Sequence, residues 1–302
     1  MIPSSKKILN KEALMKRLFF PVIGCLLMAC AHTPKEENTA AADERLQAIL
    51  AAQPDEVKAR YSARHPYETL TFFGVKPGMT VVEVLPGEGW YSKILLPYLG
   101  NEGKLIGVDY PSTIWVNFPF ANEAFLADRK LWPARWTAEA QQWADQRGAE
   151  ASAYAFDDLP ASLQGSVDMV LFFRALHGMA RVENKGQFLS KTLSATFDLL
   201  KPGGLVGVVQ HEARENMSDA WADGSQGYMK RAHVKQVMET AGFEFVAESS
   251  MNENPKDQPG EEDGVWRLPP SLSTSKDNPE LQAKYNAIGE SHRMTLLFRK
   301  PQ

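Results

Sequence analysis

From Thr80 to the C-terminus, short β-branched apolar runs alternate with longer stretches whose apolar residues recur at helical spacing. The runs at 80–84, 104–108, 153–156, 167–173, 205–210, 243–247 and 294–298 predict seven strands. The middle ones are apolar at nearly every position, as in strands covered on both faces. Helices are expected over 91–99, 121–148, 184–200 and 229–241. Alternation of this kind predicts an α/β domain, with an open, mostly parallel sheet and helices on both faces. Upstream, residues 44–60 predict a first helix. Pro66 opens another over 67–73, closed by Gly74. Residues 250–291 are polar and carry Pro255, Pro259, Pro269 and Pro270, which predicts a lid-like excursion before the last strand. One domain over 44–302 is expected.

The first residues follow a different pattern. Lys6, Lys7, Lys11, Lys16 and Arg17 precede an apolar run from Leu18 to Ala29. A basic stretch before about twelve apolar residues reads as a secretory signal over 1–29 and is short for a membrane span, which takes about 20. Leu27-Met28-Ala29-Cys30 resembles the bacterial lipoprotein signal, which implies cleavage before Cys30 and lipidation of its thiol. With Ala31 next, the resemblance implies the outer membrane, facing the periplasm. Several acyl chains hold a protein on a membrane where one does not. Residues 30–43 are small and polar and are expected to be a flexible tether.

The composition narrows the partners. Without residues 1–29 the chain carries 28 Lys and Arg against 36 Asp and Glu, so no basic field attracts nucleic acid. Contact with a membrane is expected through the lipid anchor only. Cys25 and Cys30 are the only cysteines, which excludes a disulfide scaffold and a Cys-rich metal site.

The chemistry concentrates at strand ends. Val81-Val82-Glu83-Val84-Leu85-Pro86-Gly87-Glu88-Gly89-Trp90 delivers an acid from a strand into a turn with two glycines. Ligands of parallel sheets bind beyond such carboxyl ends. Ser92 stands where the dinucleotide fingerprint has its third glycine, which disfavours a nicotinamide oxidoreductase. The segment instead resembles the first motif of class I S-adenosylmethionine-dependent methyltransferases. The resemblance implies a Rossmann-like seven-stranded sheet with the last strand antiparallel, and S-adenosylmethionine as cofactor. It places Glu83, Gly87 and Gly89 at the cofactor's amino-acid end, Asp109 at the ribose and Asp157 at the adenine amino group. Lys201-Pro202-Gly203-Gly204 resembles that superfamily's turn before the fifth strand. Arg64-His65-Pro66, Phe173-Arg174, Val208-Val209-Gln210-His211, Gly264-Val265-Trp266 and Ala287-Ile288-Gly289-Glu290-Ser291 resemble a family of exported bacterial methyltransferases of unassigned substrate.

Methyl transfer to a hydroxyl or amine needs a base, and His suits neutral pH. His177 follows the fourth strand and His211 ends the fifth, so both are catalytic candidates. Arg174 is a candidate holder of an anionic substrate group or of the cofactor carboxylate. His65 is a weaker candidate; His32, His233 and His292 read as solvated or structural. No pair of histidines shows metal-ligand spacing, and no metal is expected. Trp90 and Tyr91 read as core, and Trp266 as a lid residue closing over ligand. Three functions stay open: an exported methyltransferase acting on a small molecule or envelope component, a non-enzymatic binding lipoprotein on the same fold, and the disfavoured oxidoreductase.

Overall fold

A computed structural model describes residues 34–144 and 147–302. The expected signal 1–29 and Cys30 lie outside the described residues. The chain enters through four helices, α1 (Pro34–Ala52), α2 (Asp55–Lys58), α3 (Tyr61–Arg64) and α4 (Pro66–Phe73). Residues 34–43, expected as tether, are helical in α1. The run Ala40-Ala41-Ala42 has high helix propensity, and Leu46 and Leu50 bury the next two turns. The helix expected over 44–60 breaks after Ala52, because Pro54 sits at φ −57°, ψ 154° and cannot continue it.

Seven strands follow, all near the expected positions: β1 (Thr80–Val84), β2 (Lys104–Asp109), β3 (Glu150–Ala155), β4 (Val167–Phe173), β5 (Leu200–His211), β6 (Glu244–Ser249) and β7 (Arg293–Arg299). Their order in the sheet is β3-β2-β1-β4-β5-β7-β6. β1 to β5 pair in parallel, and β7 runs antiparallel between β5 and β6. This is the Rossmann-like seven-stranded sheet, with its last strand antiparallel, that the resemblance implies.

The connecting helices are α5 (Ser92–Leu99), α6 (Glu123–Ala144), α7 (Leu176–Ala180), α8 (Glu183–Gly186), α9 (Phe188–Leu199), α10 (Arg231–Thr240) and α11 (Pro279–Ile288). Alternate strand residues feed two cores, one on each face. Val81, Leu105, Met169 and Leu171 pack with α1, α4, α5 and α6. Val82, Ile106, Val170 and Val208 pack with α7, α9 and α10.

Two local expectations change. The helix expected over 184–200 divides at Gln187, which takes φ 57°. The Glu183 carboxylate then accepts from Leu189 N at 2.7 Å and caps the new helix start. Lys201-Pro202-Gly203-Gly204, expected as a turn, lies inside β5 as an irregularity in its pairing with β4. Lys300 N donates to Gly204 O at 2.8 Å there.

The excursion 250–291 is fastened rather than loose. Buried Asp257 accepts from Tyr228 Oη at 2.9 Å, Arg267 Nη2 at 2.7 Å and His292 N at 2.9 Å. Asn252 Nδ2 donates to Thr69 Oγ1 and Thr295 Oγ1, tying the same segment to α4 and β7. Among the described residues no helix is long and apolar enough to cross a membrane.

Candidate functional site

The turn after β1 is built as the sequence demands, with one departure. Leu85 takes φ 51°, a left-handed conformation that glycine adopts without strain, and its N–H donates to Val108 O at 2.7 Å. Gly87 and Gly89 follow at φ 60° and 74°. A Cβ on Gly87 would meet nothing within 4 Å, so this backbone faces open space. A Cβ on Gly89 would lie 2.3 Å from the Trp143 ring. Gly89 therefore admits a tryptophan from α6, not the ligand expected there.

Glu83 is buried behind this turn, and Ser92 Oγ donates to its Oε2 at 2.6 Å. Ser92, the residue that spoils the dinucleotide fingerprint, thus partners the acid. Burial pushes the Glu83 carboxyl up to about 8, against the opposing pull of Ser92 and Arg174. The folded protein holds this proton more tightly than the unfolded chain does, so stability falls as pH rises from about 4.5 to about 8. Glu83→Gln keeps the shape of the protonated acid. It is expected to flatten that decline and to exceed the wild type by about 1–2 kcal/mol at pH 8, read by urea unfolding. Parallel pH profiles for the two proteins would refute the assignment.

At the end of β2, Asp109 is already engaged. Its Oδ1 accepts from Tyr110 N at 2.8 Å, and its Oδ2 accepts from Arg129 Nε at 2.9 Å and from Arg129 Nη2. Burial still pushes its carboxyl up, with Arg129 pulling the other way. Asp157 accepts from Ser112 N at 2.9 Å and Ser112 Oγ at 2.6 Å, which ties the loop after β2 to the end of β3. Both acids line one cavity of about 580 Å³.

Tyr110 reaches from β2 to donate to Ala175 O beyond β4, so its side chain crosses the end of the intervening β1. Past it lies a second cavity of about 530 Å³, lined by Leu85, His177, Arg181 and the rings of Phe118, Phe120 and Trp266. Tyr110 and Trp115 line both cavities.

The structure brings the three catalytic candidates together. The His177 and His211 rings lie 5.4 Å apart. Burial pulls His177 down to about 4, and Arg174 and Arg181 add to that pull. Burial likewise drives His211 well below its ordinary range, with His177 and Arg174 as the nearest charges. Gln210 Nε2 donates to Gly227 O at 3.0 Å, which sets the amide orientation, and stands 3.4 Å from both His211 O and His177 Nδ1. His211 Nδ1 pairs with Ser291 Oγ at 2.5 Å. His65 forms the left-handed joint between α3 and α4, at φ 42°.

A cationic cluster beside the histidines was not foreseen as a unit. Glu290 receives Arg60 Nε at 2.8 Å, Arg64 Nε at 3.3 Å and Arg293 Nη1 at 3.2 Å. Arg64 and Arg293 are buried, and Arg64 also lies over the Trp90 ring at 4.4 Å. Arg174, at φ 59°, adds a fourth guanidinium. Arg64 Nη1 and Arg174 Nη1 are buried without a hydrogen-bond partner. The motifs Arg64-His65-Pro66 and Glu290-Ser291 flag these positions, but nothing in a linear pattern pairs them across the chain.

Elsewhere Glu212, Glu253 and His292 gather ligand atoms within 4.8 Å of one another. Arg231 donates to Glu212 at 2.7 Å and to Glu253 at 2.9 Å, so a guanidinium already supplies the positive charge there.

The residues fit the amino-acid end of S-adenosylmethionine. The two unpartnered guanidinium nitrogens suit a carboxylate, and Glu83, protonated at neutral pH, offers an ammonium a carbonyl oxygen rather than a counter-charge. At the nucleoside end, ribose hydroxyls would compete with Arg129 for Asp109.

No protein-family model matches the chain, and no curated protein matches it. The exported family suggested by the motifs therefore finds no support there. Many solved structures resemble the fold. A SAM-dependent methyltransferase from Aquifex aeolicus is 15% identical, with 82% of this chain and 98% of that one covered, at a TM-score of 0.45. The 1,6-didemethyltoxoflavin-N1-methyltransferase of Burkholderia thailandensis, solved with S-adenosylhomocysteine, is 11% identical over 90% and 92%, at 0.43. The cyclase SpnF is 16% identical over 79% and 80%, at 0.46. Likenesses this distant say nothing of what the chain binds, and the fold rests on its own strand order.

Proposed function

We propose that the chain is an S-adenosylmethionine-dependent methyltransferase, exported and lipid-anchored at Cys30 in the bacterial periplasm, and acting on a small molecule or envelope component. One observation carries the reading. Two cavities adjoin at the carboxyl edge of the sheet, share Tyr110 and Trp115 as walls, and carry Asp109 on one side and His177 on the other. A nucleoside cavity beside an acceptor cavity is what group transfer between two bound molecules requires. Glu83, Arg64 and Arg174 would hold the cofactor's amino-acid end, and Asp109 its ribose. The cofactor, when bound, supplies a methyl group on positively charged sulfur. The chain's own part is to position the acceptor and exclude water.

Calorimetric titration of the full chain with S-adenosylmethionine, S-adenosylhomocysteine and NAD tests this reading. Heat with the first two and none with NAD is expected. No heat with any of them favours the second reading, a binding lipoprotein without catalysis. The Arg129–Asp109 pair and the Tyr110 bridge support that alternative, because both occupy space on the cofactor's path. The anchor is tested separately. Cys30→Ser is expected to move the protein from the membrane to the soluble fraction, and its retention on membranes after signal cleavage would contradict lipidation.

A further inference from the structure

The cavity past Tyr110 has the shape of an aromatic slot. Trp115, Phe118, Phe120 and Trp266 supply its rings, and its volume of about 530 Å³ lies within the range of small-molecule sites. Phe120 and Trp266 stay 57% and 37% exposed at its mouth, an apolar rim that nothing among the described residues covers. Trp266 approaches His177 with ring centroids 6.0 Å apart.

The polar groups of the slot are the telling part. Arg181 lines it, lies over the Phe118 ring at 5.2 Å and pairs with no carboxylate among the described residues. Arg174, whose Nη1 is buried without a partner, adds its positive charge at His177. No carboxylate among the described residues lines the cavity. Nearby, His177 Nδ1 faces the Gln210 amide, His211 Nδ1 faces Ser291, Glu83 is bonded to Ser92, and Asp109 is held by Arg129. The slot therefore offers an anion an unpaired guanidinium and no opposing carboxylate.

We propose that this slot binds an aromatic acceptor through an oxygen that is already ionised, a carboxylate or an acidic phenol or enol, held by Arg181 beside His177. This rests on the methyltransferase reading and names its acceptor class. The acceptor oxygen forms the new C–O bond with a lone pair. The S–CH₃ bond of the sulfonium donor breaks, its electrons stay on sulfur as a neutral thioether, and no proton changes hands.

The test needs no methyl donor. 4-Nitrophenol is titrated with pH in the presence of excess full-chain protein, with phenolate absorbance as the readout. The ionisable side chains facing the slot are Tyr110, His177 and Arg181. Burial raises Tyr110 and lowers His177 to about 4, so between about pH 5 and 9 the transition is the probe's own. The midpoint of bound 4-nitrophenol is expected to fall by about one pH unit, and the neutral ether 4-nitroanisole to bind about tenfold more weakly. Arg181→Met shrinks the shift. Phe120→Ser weakens binding of both probes without moving the midpoint, and because Phe120 is exposed this variant keeps the core intact. An unmoved or raised midpoint, or equal affinity for the ether, overturns the proposal. Failure of S-adenosylmethionine to bind while the phenolate binds overturns the methyltransferase reading alone. Cofactor binding with an unmoved midpoint overturns the acceptor assignment alone.

Discussion

Glu290→Gln is expected to unfold in urea with about 3–5 kcal/mol less stability than the wild type at pH 7, the range for removing one partner of a buried ion pair. Glu290 is the carboxylate on which Arg60, Arg64 and Arg293 converge, and Arg64 and Arg293 are 3% and 2% exposed. Arg174 adds to the same positive field. Buried Glu83, which also feels Arg174, has its carboxyl pushed up to about 8 and brings no full charge at neutral pH. Glutamine preserves shape but replaces one of the two accepting oxygens with a donor, so the loss reports the charge together with one acceptor. The same site fixes a pH dependence. Desolvation pushes the Glu290 carboxyl up, but Arg293, Arg64 and Arg60 together overcome it and hold it below its ordinary value of 4.5. The unfolded chain therefore binds this proton more tightly than the folded one. The stabilisation is complete above about pH 4.5 and is lost as pH falls through the folded value. The gap between wild type and variant should close in acid. Arg60→Gln removes a partner that is 24% exposed and should cost less. A Glu290→Gln variant within about 1 kcal/mol of wild type would show that the arginines are solvated in some other way.

What the sequence made legible follows from the range of the forces involved. β-Branched runs such as Val167–Phe173 betray strands because burial on both faces constrains nearly every position. The turn from Glu83 to Gly89 betrays the sheet edge because left-handed backbone selects glycine. The same logic misleads at single positions. Leu85 shows that a packed turn tolerates φ 51° without glycine, and Gly89 is small for the sake of Trp143. The helical start at Pro34 was hidden because polar, Ala-rich composition describes tether and exposed helix alike. The site residues were found one at a time, at strand ends, yet their partners were not. Asp109 reads as a free ribose acceptor until Arg129 is seen on it, and His177 reads as a free imidazole until Gln210 and His211 are seen beside it. Glu290 meets Arg64 across 226 residues of chain, a pairing that only the closed fold creates. Periodicity reports burial, whereas protonation and charge depend on neighbours that are remote in sequence.

Asp109→Ala should weaken binding of the cofactor nucleoside by about 1.5–3 kcal/mol, roughly 10–150-fold, the cost of losing a charged acceptor, whereas Arg129→Ala should tighten it several-fold. The opposite signs follow from a shared carboxylate. Asp109 Oδ2 accepts from Arg129 through two nitrogens, and ribose hydroxyls need the same oxygens. Arg129 has a second resting place. Its guanidinium lies 5.2 Å from the centre of the Trp115 ring and 5.1 Å from that of Trp132, so cation–π contact persists when a ligand takes the carboxylate. Release therefore costs less than exposing a bare buried charge, and on the proposed reading a nucleoside would open the pair. Burial already pushes the Asp109 carboxyl up, and losing Arg129 removes the opposing charge. The tightening in Arg129→Ala should accordingly be largest at alkaline pH and fade as the acid protonates. Calorimetry with S-adenosylhomocysteine across pH reads both variants. In the double variant the gain from Arg129→Ala should vanish, because nothing is left to unmask. Equal weakening by both single substitutions would instead make Arg129 a direct ligand contact and Asp109 merely its support.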